Sequence, residues 1–260
     1  MKTRSKILTC SVLLVVFLFL TSCLPDAFLS EPVPRMVMFV GVDISGSFLK
    51  SKYFDDSLDF LAHYLYAHLQ GLGGLEQPDE LFVGSIGGST VGEAKTLFPI
   101  QTFEYGTLPE IHQKLKEIFP KNKVNPFTDF NAFFHHVSET VSNRKLILRP
   151  LVIVLISDGI PDVPEAERSE AYKQIVIEPL ENLSRNIVIQ LLYTDAETGD
   201  QWTSLVPRKR VKILTQDAPV MKDWKDPSIM LPGKSLEEQD RFFDWVKHQV
   251  DFPVRLKRVD

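Results

Sequence analysis

The apolar run at residues 36–42, Met-Val-Met-Phe-Val-Gly-Val, leaves a chain that contains it few choices. Successive side chains of a strand point to opposite faces, so a run apolar at every position needs cover on both. That is the situation at the centre of a parallel sheet with helices on either side. The run stops abruptly at Asp43-Ile44-Ser45-Gly46-Ser47. A carboxylate and two hydroxyls stand at alternate positions there, with a glycine that lets the backbone turn tightly. Small oxygen ligands of this kind suit a hard divalent cation. The same residue types are ordinary turn formers, so these five residues alone leave both readings open.

A second wholly apolar run, Leu-Val-Ile-Val-Leu-Ile at residues 151–156, stops in the same way at Ser157-Asp158-Gly159. Between and around the two runs the pattern alternates between helix and strand periods. Residues 51–71 carry Phe54, Leu58, Leu61, Ala62, Leu65 and Leu69 at helical spacing, with Gly71 as the stop. Residues 80–86 read as a strand, 87–90 as a glycine turn and 97–104 as a weaker edge strand, together an antiparallel pair. Thr107-Leu108-Pro109-Glu110 is a capping box that opens a helix through Ile118. Residues 129–142 form a helix with Phe130, Phe133, Phe134, Val137 and Val141 as its inner stripe. The spacing then predicts a helix over 165–183, a strand over 186–193, a short helix over 201–205 and a short strand over 211–214. A second capping box, Ser235-Leu236-Glu237-Glu238, opens a C-terminal helix. The expected fold is α/β: a mostly parallel central sheet, helices on both faces and one antiparallel edge strand. Such sheets bind ligands beyond the carboxyl ends of their strands, at a switch point in the strand order. Asp43 and Asp158 both stand at such ends.

The N-terminus has a different character. Lys2, Arg4 and Lys6 precede an apolar stretch from Ile7 to Leu20, followed by Leu20-Thr21-Ser22-Cys23. This is the layout of a secretory leader, and its last four residues resemble the lipobox of bacterial lipoproteins. The expected organisation is a lipoprotein signal peptide at 1–22, a lipidated tether at 23–34, one domain at 35–254 and a short tail at 255–260. Acylated Cys23 would hold the domain against a membrane through a Pro-containing tether of a few nanometres. The chain's two cysteines are Cys10 and Cys23. Cys10 would leave with the leader, so no internal disulfide is expected. The formal charge of −5 becomes more negative once three leader cations are removed, which argues against nucleic acid as a partner.

Three separated segments thus offer oxygen ligands: Asp43, Ser45 and Ser47 after the first run, Thr128 before the Phe-rich helix, and Asp158 after the second. In this the chain resembles a von Willebrand factor A domain carrying a metal-ion-dependent adhesion site. That family's pattern is Asp-x-Ser-x-Ser, a distant Thr and a distant Asp commonly followed by Gly. It is matched here by Asp43-Ile44-Ser45-Gly46-Ser47, Thr128-Asp129 and Ser157-Asp158-Gly159. The resemblance implies a Rossmann-like fold over most of the chain beyond the leader. It implies a divalent metal held by Asp43, Ser45, Ser47, Thr128 and Asp158, with Mg²⁺ foremost and Mn²⁺ or Ca²⁺ as alternatives. It also implies a protein ligand that donates a Glu or Asp carboxylate to that metal. The chain departs from common family versions at Asn125-Pro126-Phe127, where many relatives carry glycines.

The expected function is a membrane-anchored, metal-dependent protein-binding module of the bacterial cell envelope. In a Gram-negative source, Leu24 in place of an Asp after the lipidated Cys favours the periplasmic face of the outer membrane. The alternatives are a metal-independent scaffold and a Mg²⁺-dependent phosphohydrolase. The last would need a second Asp as acid/base two positions after Asp43, where Ser45 stands. His135, His136 and Glu139 offer a weaker transition-metal candidate, since adjacent histidines do not share a helical face. Asp162, Glu165, Glu167, Asp195, Glu197 and Asp200 are expected in loops on the metal-bearing rim, as a solvated acidic face.

Overall fold

The computed structural model describes residues 35–87, 96–122 and 127–251. Its strands are β1 (Met36–Val42), β2 (Pro78–Ser85), β3 (Phe98–Pro99), β4 (Leu151–Ile156), β5 (Ile187–Thr194) and β6 (Lys212–Asp217). They form one sheet in the order β3-β2-β1-β4-β5-β6. All neighbours run parallel except β2 and β3, which are antiparallel. The expected α/β architecture with its single antiparallel edge strand is the one observed.

The helices are α1 (Gly46–Leu49), α2 (Phe54–Leu69), α3 (Leu108–Ile118), α4 (Phe130–Asn143), α5 (Arg168–Lys173), α6 (Glu178–Glu181), α7 (Ala196–Leu205), α8 (Ala218–Lys222) and α9 (Asp240–Val246). They divide between the two faces, and β1 explains why. Met36, Met38, Val40 and Val42 pack into one core with the apolar faces of α2, α3, α8 and α9. Val37 and Phe39 point the other way, into a second core with α4 to α7. Every residue of β1 is buried, as a strand covered on both faces requires. Gly41 lies against α4. A Cβ there would come within 2.8 Å of both Ile86 Cγ1 and Phe133 Cζ, so the missing side chain is what admits the Phe133 ring.

The chain moves outward in opposite directions from β1 and β4, so these two strands flank the switch point. Their register pairs Val42 with Ile156, which brings both strands to an end at the same level. The Asp43 N–H continues the ladder by donating to the Ile156 carbonyl at 2.8 Å.

Several local expectations need correction. The edge strand expected over 97–104 is two residues long and gives way to a 3-10 turn at Ile100–Thr102. Pro99 lacks an N–H for the ladder, which limits how far β3 can pair. The helix expected over 165–183 is broken into a 3-10 turn, α5 and α6. Its break falls at the β-branched run Ile175-Val176-Ile177, just before Pro179, where helix is disfavoured by both side-chain crowding and the missing N–H. Conversely, α7 starts well before residue 201, because Asp195 caps it through the Thr198 N–H at 2.7 Å. The capping box at Ser235 closes only a 3-10 turn, and α9 begins beyond Gln239. Buried Gln239 explains the interruption. Its side chain bonds the Leu231 N–H and carbonyl at 2.7 and 2.9 Å, tying this bend to the preceding loop.

Candidate metal centre

Asp43 is fully buried immediately beyond β1, and its carboxylate is held at both oxygens. Oδ1 accepts the Ser45 N–H at 2.8 Å, and Oδ2 accepts the Ser157 hydroxyl at 2.7 Å. Ser157 Oγ in turn accepts the Gly159 N–H at 2.9 Å. One hydroxyl therefore stitches the ends of β1 and β4 together. The Asp43 carboxylate cannot swing away from the switch point without breaking that link.

From Asp43 the site opens toward solvent. Ser45 is buried and Ser47 exposed, with their hydroxyl oxygens 3.2 Å apart on the first turn of α1. Half-buried Asp158 receives the Ile160 N–H at 3.2 Å and a hydrogen bond from the Ser47 side chain. The turn that carries Asp158 depends on Gly159, whose φ of +75° is left-handed. A Cβ there would sit 2.9 Å from Leu191 and about 3 Å from Thr198 and Trp202. The Trp202 indole N–H donates to the Gly159 carbonyl at 2.8 Å, locking the turn onto α7.

On the other side, α1 is supported by aromatic packing. Phe48 meets the edges of Phe54 and Tyr193, with ring centroids 6.0 and 6.4 Å away. Tyr193 has a φ of +76°, a strained conformation for a bulky residue, at an irregularity in the β5–β6 pairing. Its hydroxyl donates to Asp56 Oδ2 at 3.0 Å, which anchors the ring under the serine turn. Sequence reading missed Tyr193 and the role of Ser157. A serine directly before Asp158-Gly159 was a visible signal for one; nothing in a strand-like pattern signals the other.

Thr128 comes from a third segment. The Phe127 carbonyl and the Thr128 backbone press against Gly87, where a Cβ would collide with the Phe127 oxygen. Thr128 lines a cavity of about 230 Å³ together with Asp129 and with Pro161, Asp162 and Val163 from the loop beyond Asp158. The cap of α4 is Asp129, which accepts the Ala132 N–H at 2.9 Å, rather than Thr128. The contacts thus join Asp43, Ser45, Ser47 and Asp158 directly, whereas none of the described contacts joins Thr128 to them; it shares a cavity only with the loop beyond Asp158. Cys23 lies outside the described residues.

The electrostatics fit a cation. Burial pushes the Asp43 carboxyl up to about 6, against the pull of the Ser157 hydrogen bond, and the nearby Asp158 charge pushes the same way. Asp158 is raised as well, chiefly by burial and with a contribution from Asp195. The Ile160 and Ser47 hydrogen bonds and Arg168 oppose the rise. Two carboxylates crowded into a poorly solvated cleft are stabilised as anions by a positive ion between them. The donors are carboxylate and hydroxyl oxygens without thiol or imidazole, which suits Mg²⁺, Mn²⁺ or Ca²⁺ rather than a softer metal. Among the described residues there is no group of three or more His, Cys, Asp or Glu side chains placed for a metal. The His135 alternative reduces to an exposed ion pair, with Nδ1 at 3.6 Å from Glu139 Oε2. The acidic rim is also more ordered than expected. Asp195 is a helix cap, while Glu197 and Asp200 ride on α7.

No family model and no curated protein matches the chain. Among solved structures, it is similar to proximal thread matrix protein 1 from the mussel byssus. The two are 14% identical over 75% of this chain and 47% of that one, at a TM-score of 0.44. It is also similar to manganese-loaded TRAP protein from Plasmodium vivax, at 14% identity over 74% and 73% of the two chains and a TM-score of 0.45. A third similar structure is a von Willebrand factor type A protein from Catenulispora acidiphila, at 13% identity over 73% and 41% and a TM-score of 0.40. The chain spans about half the length of the mussel protein. At these identities the reading of the site rests on its own geometry.

Proposed function

We propose that the chain is a divalent-metal-dependent protein-binding module. The observation that carries this reading is the convergence of Asp43, Ser45, Ser47 and Asp158 at the switch point between β1 and β4. They form one hydrogen-bonded cluster that grades from buried carboxylate to exposed hydroxyl. Asp43, Ser45, Ser47, Asp158 and Thr128 are the residues that would hold the ion. When bound, the ion supplies an electrophilic point to which a Glu or Asp carboxylate of a protein partner attaches. The acidic rim favours a partner whose single carboxylate is set among neutral or basic groups. The binding surface sits at the bacterial envelope, with the domain tethered through acylated Cys23, on the periplasmic face of the outer membrane in a Gram-negative source.

The test is a melting curve of the full-length chain in EDTA and in millimolar Mg²⁺ or Mn²⁺. A ligand that binds the folded state alone raises stability by about 2.7 kcal/mol at a hundredfold excess over Kd. Melting should rise with metal in the unaltered protein and stay put in Asp43→Ala and Asp158→Ala. An unaltered protein indifferent to all three cations overturns the metal-dependent reading. A hydrolytic assay on a generic phosphoester addresses the enzymatic alternative, for which Ser45 in the acid/base position predicts no turnover.

A further inference from the structure

Strands β1, β4, β5 and β6 start level with one another, at the end of the sheet opposite the proposed metal site. Their registers pair Val37 with Leu151, Leu151 with Ile187 and Val188 with Lys212. Residues 143–150, 182–186 and 206–211 lead into β4, β5 and β6, and none of them is Asp or Glu. They carry Arg144, Lys145 and Arg149, then Arg185, then Arg208, Lys209 and Arg210, while Arg35 leads into β1. The rim beyond the strand ends reverses this, since residues 157–167 and 194–200 hold acids and no Lys or Arg. A chain with a formal charge of −5 therefore has a cationic face, gathered at one end.

Hydrogen bonds join these loops into one surface. The Leu148 N–H donates to the Leu183 carbonyl at 2.7 Å, and Arg210 Nη2 donates to the Glu181 carbonyl at 3.2 Å. Two acids touch the loops, and both are matched. Asp79 pairs with Arg149, and the Glu181 carboxylate accepts the Lys209 and Arg210 N–H groups. Exposed Glu76 precedes β2, so the cationic face belongs to the side of β1, β4, β5 and β6. Arg144, Lys145, Arg185, Lys209 and Arg210 are exposed. Among them stand two aliphatic side chains, Ile147 at 48% exposure and Leu148 at 77%. Buried Leu146 anchors their loop in the core that contains α4. Leu148 also has a φ of +73°, which strains a bulky residue and which Gly or Asn adopts more readily. The fold thus holds a large apolar side chain both in strain and in water. Packing among the described residues gives no reason for either.

We propose that this rim docks on a membrane surface that carries anionic phospholipids, with Ile147 and Leu148 entering the headgroup layer and the flanking Arg and Lys side chains on lipid phosphates. Apolar side chains set among cations are what an interfacial membrane contact requires. Connectivity favours a bilayer over an acidic protein. Residues 1–34 join the domain through Arg35, at this same rim, and to that extent the inference rests on the tethered reading above. Residues 23–34 span a few nanometres at most, which keeps the rim within reach of the lipid. Docked in this way, the domain turns the proposed metal site away from the membrane, toward a protein partner.

The test is a lysine footprint. The full-length chain, kept in EDTA, is mixed with vesicles of phosphatidylcholine alone or with added phosphatidylglycerol. Surface lysines are acetylated briefly, and the sites are read by mass spectrometry. Sedimentation with the neutral vesicles reports the N-terminal anchor by itself. Phosphatidylglycerol should slow the labelling of Lys145 and Lys209 and leave exposed Lys50, just beyond α1, unchanged. Added salt should reverse the slowing. Arg185→Gln should lower the docked-to-free ratio about fivefold, the worth of one cation near an anionic surface. Leu148→Asn suits the left-handed backbone, so the melting temperature should hold or rise while the protection of Lys145 falls. Equal labelling of Lys145 and Lys209 on the two kinds of vesicle overturns the proposal, whether or not the chain sediments. Protection matched by soluble polyglutamate and untouched by Leu148→Asn also overturns it, in favour of an acidic protein partner. Because metal is excluded throughout, failure here leaves the metal-dependent reading as it stands, and failure of the anchor shows separately on the neutral vesicles.

Discussion

Ser157 does more for the proposed metal site than its neutral side chain suggests. It donates to Asp43 and accepts from the Gly159 N–H, so it connects both strand ends and the glycine turn. Ser157→Ala would leave Asp43 Oδ2 short of a buried donor, at a cost of about 1–3 kcal/mol. A urea titration should show that loss, with weaker Mg²⁺ protection on top of it, although Ser157 is not among the proposed ligands. Gly41 makes the complementary point about space. Gly41→Ala puts a methyl group against Ile86 and Phe133, and overpacking of this kind costs about 1–3 kcal/mol. The same titration measures it; an unchanged midpoint would mean that α4 is free to shift.

The elements around the site separate the helix cap from the proposed ligand. Asp129 and Thr128 are neighbours, yet only Asp129 caps α4. Asp129→Ala should therefore lower stability by about 1 kcal/mol, the usual worth of an N-cap. Thr128→Ala should leave the unfolding midpoint in EDTA nearly unchanged and reduce the stabilisation by Mg²⁺. Denaturation with and without metal tells the two apart. The element-level pattern also explains which boundaries were legible. Strands β1 and β4 and the Phe-rich helix announce themselves through long unbroken periods. The breaks at Pro179 and Gln239 depend on single residues whose effect on a helix is settled by what they touch. Gln239 reads as an ordinary helical residue until its bonds to Leu231 are seen.

At the scale of the whole molecule, residues far apart in sequence set the response to pH. Burial disfavours charge on His68, but the Asp251 carboxylate and the Glu76 carbonyl outweigh it and raise its pKa above 6.5. A base whose pKa is higher in the folded state contributes stability below its unfolded value. That contribution is lost as pH rises through the folded one. In EDTA the unfolding midpoint should accordingly fall on going from pH 6 toward pH 8, and Asp251→Asn should flatten the fall. A midpoint independent of pH across that window would show that the pair contributes nothing. The pair also ties α2 to the C-terminal turn across 183 positions of sequence, Asp251 minus His68, at a separation of 3.5 Å.

The amino-acid sequence by itself determined the central strands, the α/β class and four of the residues that meet at the switch point. Each of those signals is local: an apolar run, a cap, a carboxylate at a strand end. Which residues support the site was decided only in three dimensions. Ser157 bridges to Asp43 because the β1–β4 register brings Val42 level with Ile156, and Tyr193 reaches Asp56 across the fold.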